Sequence, residues 1–335
     1  MRPSTVMRGL RAGLHPVRVG AAVVILCSSG QVIPLRAQDP ALLAASCATA
    51  GGEPERCAAA ALGARALLSH QGLLAGLGSE IPGSPSTLGT RVRGQPRVSV
   101  SFRSSIAHVG LPDVQAADAP LGAERTFIVP TFHGGVAVGV FEGFSPMPTV
   151  GGIFSLDLMG GGGLSLFPSS EGFRGQGRSL SVGLRVGLLR ESFTLPGVTL
   201  SASRRWSSAV VLGDAQVGEL TQLDVSPRVA SYRITVGKNL VGVGVLAGAG
   251  VDDYSGAVSI QARNGLGTVA SASSTGSTTR RTLFFAGASM NFLVLQMSVE
   301  GGWARGLPAV PAFGSPAFDP TGGTPFGGLA FRLTY

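Results

Sequence analysis

Apolar side chains recur at every second position in a series of segments along the chain, with small or polar residues between them. Val98, Val100, Phe102 and Ile106 alternate with Arg97, Ser99, Ser101, Arg103 and Ser105. Val136, Val138 and Val140 stand between glycines and Ala137. Phe154, Leu156, Leu158, Leu164 and Leu166 keep one parity across Gly160–Gly163, with Ser155, Asp157 and Ser165 opposite. The same rhythm runs through Leu180–Leu188, Val198–Ala202, Ala230–Val236, Val241–Ala249, Phe284–Met290, Leu293–Val299 and Leu329–Tyr335. A period of two means a strand with one apolar face and one polar face. The pattern predicts ten strands, or twelve if residues 207–227 or 240–262 each divide.

A soluble sandwich also alternates, so two further features decide. The segments run roughly 10–20 residues, longer than the ~5–6 of common soluble strands and enough for a tilted membrane span of about 9–11. The connections also alternate in length. Residues 109–131, 168–177, 207–227, 263–279 and 303–325 are long and rich in Gly, Pro, Ser and Asp. Residues 145–149, 191–196, Lys238-Asn239 and Met290-Asn291 are tight. No run of 18 apolar residues is present, so the membrane would be crossed by strands, and a closed barrel is the all-β way to do so.

The last segment, Gly328-Leu-Ala-Phe-Arg-Leu-Thr-Tyr335, ends the chain on an aromatic. It resembles the closing strand of bacterial outer-membrane β-barrels. The expected fold is therefore all-β, a transmembrane antiparallel barrel of about ten strands (eight to twelve), over residues 96–335. The resemblance implies a cell outer-membrane location, contact with outer-membrane lipid, and recognition by the barrel-assembly machinery through the strand ending at Tyr335.

Residues 1–37 carry five arginines and no acid, an apolar run from Val19 to Cys27, and Ala37 before Gln38-Asp39. That is the pattern of a secretory signal peptide. Without it the formal charge falls from +8 to 21 basic against 18 acidic groups. Two cysteines remain, Cys47 and Cys57, and an even pair in an exported chain reads as a disulfide. In residues 38–95, Glu53–Leu77 is dense in Ala and Leu, with Pro54 early and Gly76 and Gly78 late. It reads as a helix, packed either in the periplasm or in the barrel mouth as a plug.

If the apolar rows face lipid, Arg97, Arg103, Arg185, Arg205, Arg233, Arg281 and Arg332 face the lumen, with Asp157 and Glu300 as the acids. A charge at the lipid midplane costs about 2–4 kcal/mol, so inward placement is expected. These arginines form either a lining that favours anions or a network that bridges the walls. Rim histidines His108 and His133 stand without paired acids in sequence, and no Gly-x-Ser-x-Gly elbow appears; no catalytic residue, metal site or cofactor is expected. Gly160–Gly163 lacks the Lys-Ser/Thr of a phosphate loop. Trp206, Trp303, Phe173 and Tyr232 are candidates for an aromatic girdle, and the small excess charge gives no support for nucleic-acid binding. The expected function is a channel or transport protein for a small solute, with a non-conducting structural or surface-interaction barrel as the alternative and no enzymatic role.

Overall fold

A computed structural model describes residues 40–335, except 79, 91–93, 117–123, 147–150, 241 and 314–317. The expected signal peptide, with Cys27, lies outside them. The described strands are β1 (Arg97–Pro112), β2 (Glu124–Phe141), β3 (Ser155–Ser165), β4 (Phe173–Arg174), β5 (Gly177–Leu189), β6 (Gly197–Ser207), β7 (Val210–Leu212), β8 (Thr221–Leu240), β9 (Val243–Arg263), β10 (Val269–Phe292), β11 (Leu295–Ala304) and β12 (Thr324–Thr334). Ten of them close a ring in the order β1-β2-β3-β5-β6-β8-β9-β10-β11-β12, every neighbour antiparallel. Short β4 and β7 pair with each other, and β7 pairs with the loop end of β8. The ten barrel strands coincide with the ten alternating segments.

The apolar rows point outward. Phe102, Leu158, Leu180, Tyr232, Val245 and Leu329 are exposed, and so are Phe331 and Tyr335 of the closing strand. A belt of that extent is far larger than the few hundred Å² that a water-soluble monomer leaves bare. It suits hydrocarbon. Trp206, Trp303 and Tyr232 are exposed on this surface as the girdle reading requires, but Phe173 is not. It is buried against Phe127 and Phe167, with ring centroids 5.2 and 5.0 Å away.

Several stretches expected as long loops are strand. β1 continues to Pro112, β8 begins at Thr221, β9 runs to Arg263 and β10 begins at Val269. In each of these extensions the apolar phase inverts. On β1 the outward residues Val100, Phe102 and Ile106 give way to inward Ala107, Val109 and Leu111, all buried. On β8, Leu223, Val225 and Val229 point in before Tyr232, Ile234 and Val236 point out. Two tight turns are also displaced. The β10–β11 hairpin turns at Leu293-Val294, not Met290-Asn291, with Leu293 at φ 55°. Lys238 and Asn239 are paired within β8, opposite Val245 and Gly244, so that hairpin turns only after Leu240.

What those inward apolar rows meet is a helix. Helix α1 (Pro40–Thr49) and α2 (Pro54–Gly76) precede the barrel. Their Ala- and Leu-rich composition favours helix, and Pro54 fills a first-turn position where no N–H partner is needed. Cys47 and Cys57 are joined by a disulfide with Cα atoms 5.7 Å apart, which clamps α1 to the first turn of α2. From Arg56 to Gly76 only Ala58 and Arg65 are not buried. A helix covered on all sides is in a protein interior, and here the interior is the lumen. Gly63 abuts Leu223 and Val114 at the loop end, Gly72 the ring of Tyr254, and Gly76 the carboxylate of Asp252. The chain therefore enters the barrel at its loop end and descends toward the short turns. At about 1.5 Å per residue, α2 is roughly 34 Å long, close to the ~30 Å thickness of a hydrocarbon core.

Candidate functional site: the barrel lumen

The lumen has two chemistries. Around α2 its wall is apolar, built from Val109, Leu111, Val129, Leu223, Val225, Val258 and Ile260 against Leu62, Leu67, Leu68, Leu73 and Leu74. Fully burying such a side chain contributes about 1.5–3 kcal/mol. Below Gly76 the helix stops and the chain continues toward the turns as irregular backbone. Such backbone cannot satisfy its own carbonyls, and an unpaired buried one costs as much as a lost hydrogen bond. The wall supplies the donors. Arg103 Nη1 donates to Leu77 O at 2.8 Å, and Arg185 Nη2 to Ser86 O at 2.7 Å and Nη1 to Ser84 O at 3.2 Å. Gln296 Nε2 donates to Gly83 O at 2.9 Å. In the reverse sense, Leu88 N donates to both oxygens of Asp157, at 3.0 and 2.9 Å.

The arginines that reach the plug are themselves neutralised on the wall. Arg185 pairs with Asp157 at 3.0 Å, with both side chains almost fully buried. The two stand opposite one another on β3 and β5. Arg103 pairs with Glu300 at 2.9 Å. Arg233 pairs bidentately with Asp252 at 2.6 and 3.1 Å, and Tyr254 donates its hydroxyl to the same carboxylate at 3.1 Å. Two of the acids were not among the expected Asp157 and Glu300. Asp252 sits on the inward parity of β9, two residues from Tyr254, and its register was legible from the alternation of Val243, Val245 and Ala247. Glu80 rides on the plug and accepts a hydrogen bond from Ser201 Oγ on the wall; nothing in the alternation of the strands could have marked it.

The remaining arginines serve differently. Arg281 is buried and donates to Arg305 O (2.6 Å), Ala304 O (3.3 Å), Thr324 Oγ1 (2.6 Å) and Ser69 Oγ of α2 (3.3 Å). Arg205 is buried with one bond, to Ser179 Oγ at 3.2 Å, and its Nε has no partner. Arg332 is half-buried, and its Nε and Nη1 likewise lack partners. Arg97 is exposed at the turn end, 3.5 Å from Leu88 O.

Neither expected rim histidine is a lumen-rim residue. His108 lies on the exposed, outward parity of β1. His133 stands mid-strand in β2 and is buried under the plug at Gly78, with neither ring nitrogen hydrogen-bonded. A side chain at Gly163 would collide with that imidazole, which is the service one glycine of the 160–163 run performs. Among the described residues no group of three His, Cys, Asp or Glu could hold a metal, and no helix is long and apolar enough to cross a membrane, which says nothing of strands.

These features define a closed antiparallel β-barrel with an apolar exterior and an occupied lumen. No family model and no curated protein matches the chain. The solved structures it resembles are bacterial outer-membrane β-barrels. The outer membrane protease OmpT from Escherichia coli is 11% identical, over 75% of this chain and 100% of that one, with a TM-score of 0.37. The translocator domain of the autotransporter NalP from Neisseria meningitidis is 10% identical over 71% and 88%, with a TM-score of 0.34. A monoaromatic hydrocarbon channel, CymD, is 8% identical over 71% and 88%, with a TM-score of 0.30.

Proposed function

We propose that this protein is an outer-membrane barrel held shut by its own N-terminal segment, a non-conducting barrel that works through the surface at its loop end. The short turns, on this reading, face the periplasm and the long loops face outward. The observation that carries it is the burial of α2 along the lumen. At mid-lumen, the cavity between plug and wall beside Glu80, Ser101 and Ser203 is about 30 Å³. That space holds a water or two, not a hydrated solute.

Planar-bilayer recording of the refolded full chain tests this: a silent bilayer is expected. Removal of residues 39–90 should produce steady openings biased toward anions, because Arg205 and Arg332, which pair with no carboxylate on the wall, would then line the pore. Steady openings from the full chain would overturn the sealed reading.

One observation favours solute transport by plug movement. Arg205, Arg332 and His133 present buried side-chain nitrogens without hydrogen-bond partners. Anion-dependent openings of the full chain would support it. Catalysis has no comparable support, because the described imidazoles hydrogen-bond to no carboxylate. Insertion through the C-terminal strand would use the barrel-assembly machinery, and replacing Tyr335 by Asp should slow assembly of the heat-modifiable form.

A further inference from the structure

Strand β12 begins at Thr324 and its last pair with β1 is Ala107–Phe326, while β1 runs on to Pro112 paired only with β2. Residues 108–112 therefore have one edge without a strand. A cavity of about 200 Å³ opens there, between that edge, Phe318 and Asp319 of the β11–β12 loop, and His70 on α2. Directly below it, on the outer face, lies a groove of about 540 Å³ walled by Ile106, Ile128, Val299 and Leu329 and floored at Gly327. That volume falls in the range of small-ligand sites, about 300–1,000 Å³. His108 borders both spaces.

The groove lies within the apolar belt, and the upper cavity is polar. Two groups in the cavity lack what burial demands. His70 is about nine-tenths buried, and its Nδ1 has no hydrogen-bond partner. Arg281 is buried, and every acceptor it has is neutral; no carboxylate stands within ion-pair distance of it among the described residues. A buried cation without a counter-charge is costly. Two acids also border the space. Asp319 already accepts two hydrogen bonds from Thr321, and Glu124 is exposed, its carboxylate lying over Gly110.

We propose that this notch binds a single-chain amphiphile with a carboxylate head. The chain lies in the groove over Gly327, and the carboxylate enters past His108 to Arg281 and the free nitrogen of His70. The apolar wall selects the tail, and the uncompensated guanidinium selects an anionic head over a neutral one. The inference requires the exterior to sit in lipid, but not that the barrel be sealed; bilayer conductance does not bear on it.

The test is photolabelling of the full chain in nanodiscs with a diazirine-bearing sixteen-carbon fatty acid. Labelling is expected to concentrate on Ile106, Ile128 and Leu329, with palmitate competing at least tenfold better than hexadecanol. Gly327→Leu should reduce it at least tenfold. A Cβ there meets only Glu300 O, at 3.5 Å, so the variant should keep the wild-type heat-modifiable migration. If Gly327→Leu does not fold, Leu329→Trp fills the same groove. His108→Ala should weaken labelling several-fold. Label spread evenly around the belt, labelling undiminished in the folded filled-groove variant, or equal competition by hexadecanol would each overturn the proposal.

Discussion

The two halves of the lumen are filled by the same stretch of chain in opposite ways. Toward the loops, α2 brings its own backbone hydrogen bonds, so the wall around it needs only apolar bulk, and Leu223, Val225 and Ile260 provide it. Toward the turns, the described residues between 77 and 89 lack regular hydrogen bonding, and the wall becomes Arg103, Arg185, Asp157, Gln296 and Ser289. The difference teaches that Arg103 and Arg185 are partners of a particular backbone. Their positions follow the carbonyls of Leu77, Ser84 and Ser86 rather than an axis for solute passage.

The comparison is broken most severely at Asp157. Replacing it with Ala strands the buried Arg185 guanidinium and the Leu88 amide, at a cost of about 3–5 kcal/mol. The urea midpoint of the folded barrel should fall accordingly, and Asp157→Asn/Arg185→Gln should recover part of the loss. A midpoint unchanged in Asp157→Ala would mean that the polar half of the plug is not docked. In the apolar half, Gly72→Leu drives a side chain into the Tyr254 ring. Overpacking costs about 1–3 kcal/mol. The expected outcome is a helix displaced from an intact barrel, read as new conductance with unaltered heat-modifiable migration.

Two changes that should leave the barrel midpoint almost unmoved sharpen the contrast. Opening the Cys47–Cys57 bridge by Ser substitution releases a ring of about eleven residues, worth about 3 kcal/mol by chain entropy. It should be felt as early proteolysis near Gly51-Gly52, with the barrel midpoint unmoved. The exposed pair Arg280–Asp253 lies outside the lumen, with Arg280 71% exposed. Arg280→Gln should shift the midpoint by no more than about 0.5 kcal/mol, which sets the baseline for the buried pairs.

The barrel was legible in the sequence because its outer face obeys one rule over ten segments: each strand must show lipid an apolar row. The plug's place was less so. Its helix could be read from Pro54, the Ala/Leu run and Gly76, but a helix apolar all round does not say what surrounds it. The missing clue lay in β1, β8 and β9, where the apolar parity inverts. Outward Ile106 followed by inward Ala107, Val109 and Leu111 is the signature of a strand leaving lipid on one side and meeting a buried partner on the other. Read as loss of alternation, it made those stretches loops. Helix α1 went unforeseen apart from Cys47, since its ten residues carry too little pattern. Glu80 was beyond reach because its chain has no period that would fix which way the side chain points.

Hydrogen–deuterium exchange of the full chain in lipid nanodiscs tests the resident plug most directly. Amides of Cys57–Gly76 should exchange over hours, as slowly as those of β8 and β9 that enclose them. Exchange of α2 within seconds, while β8 and β9 stay protected, would contradict the account.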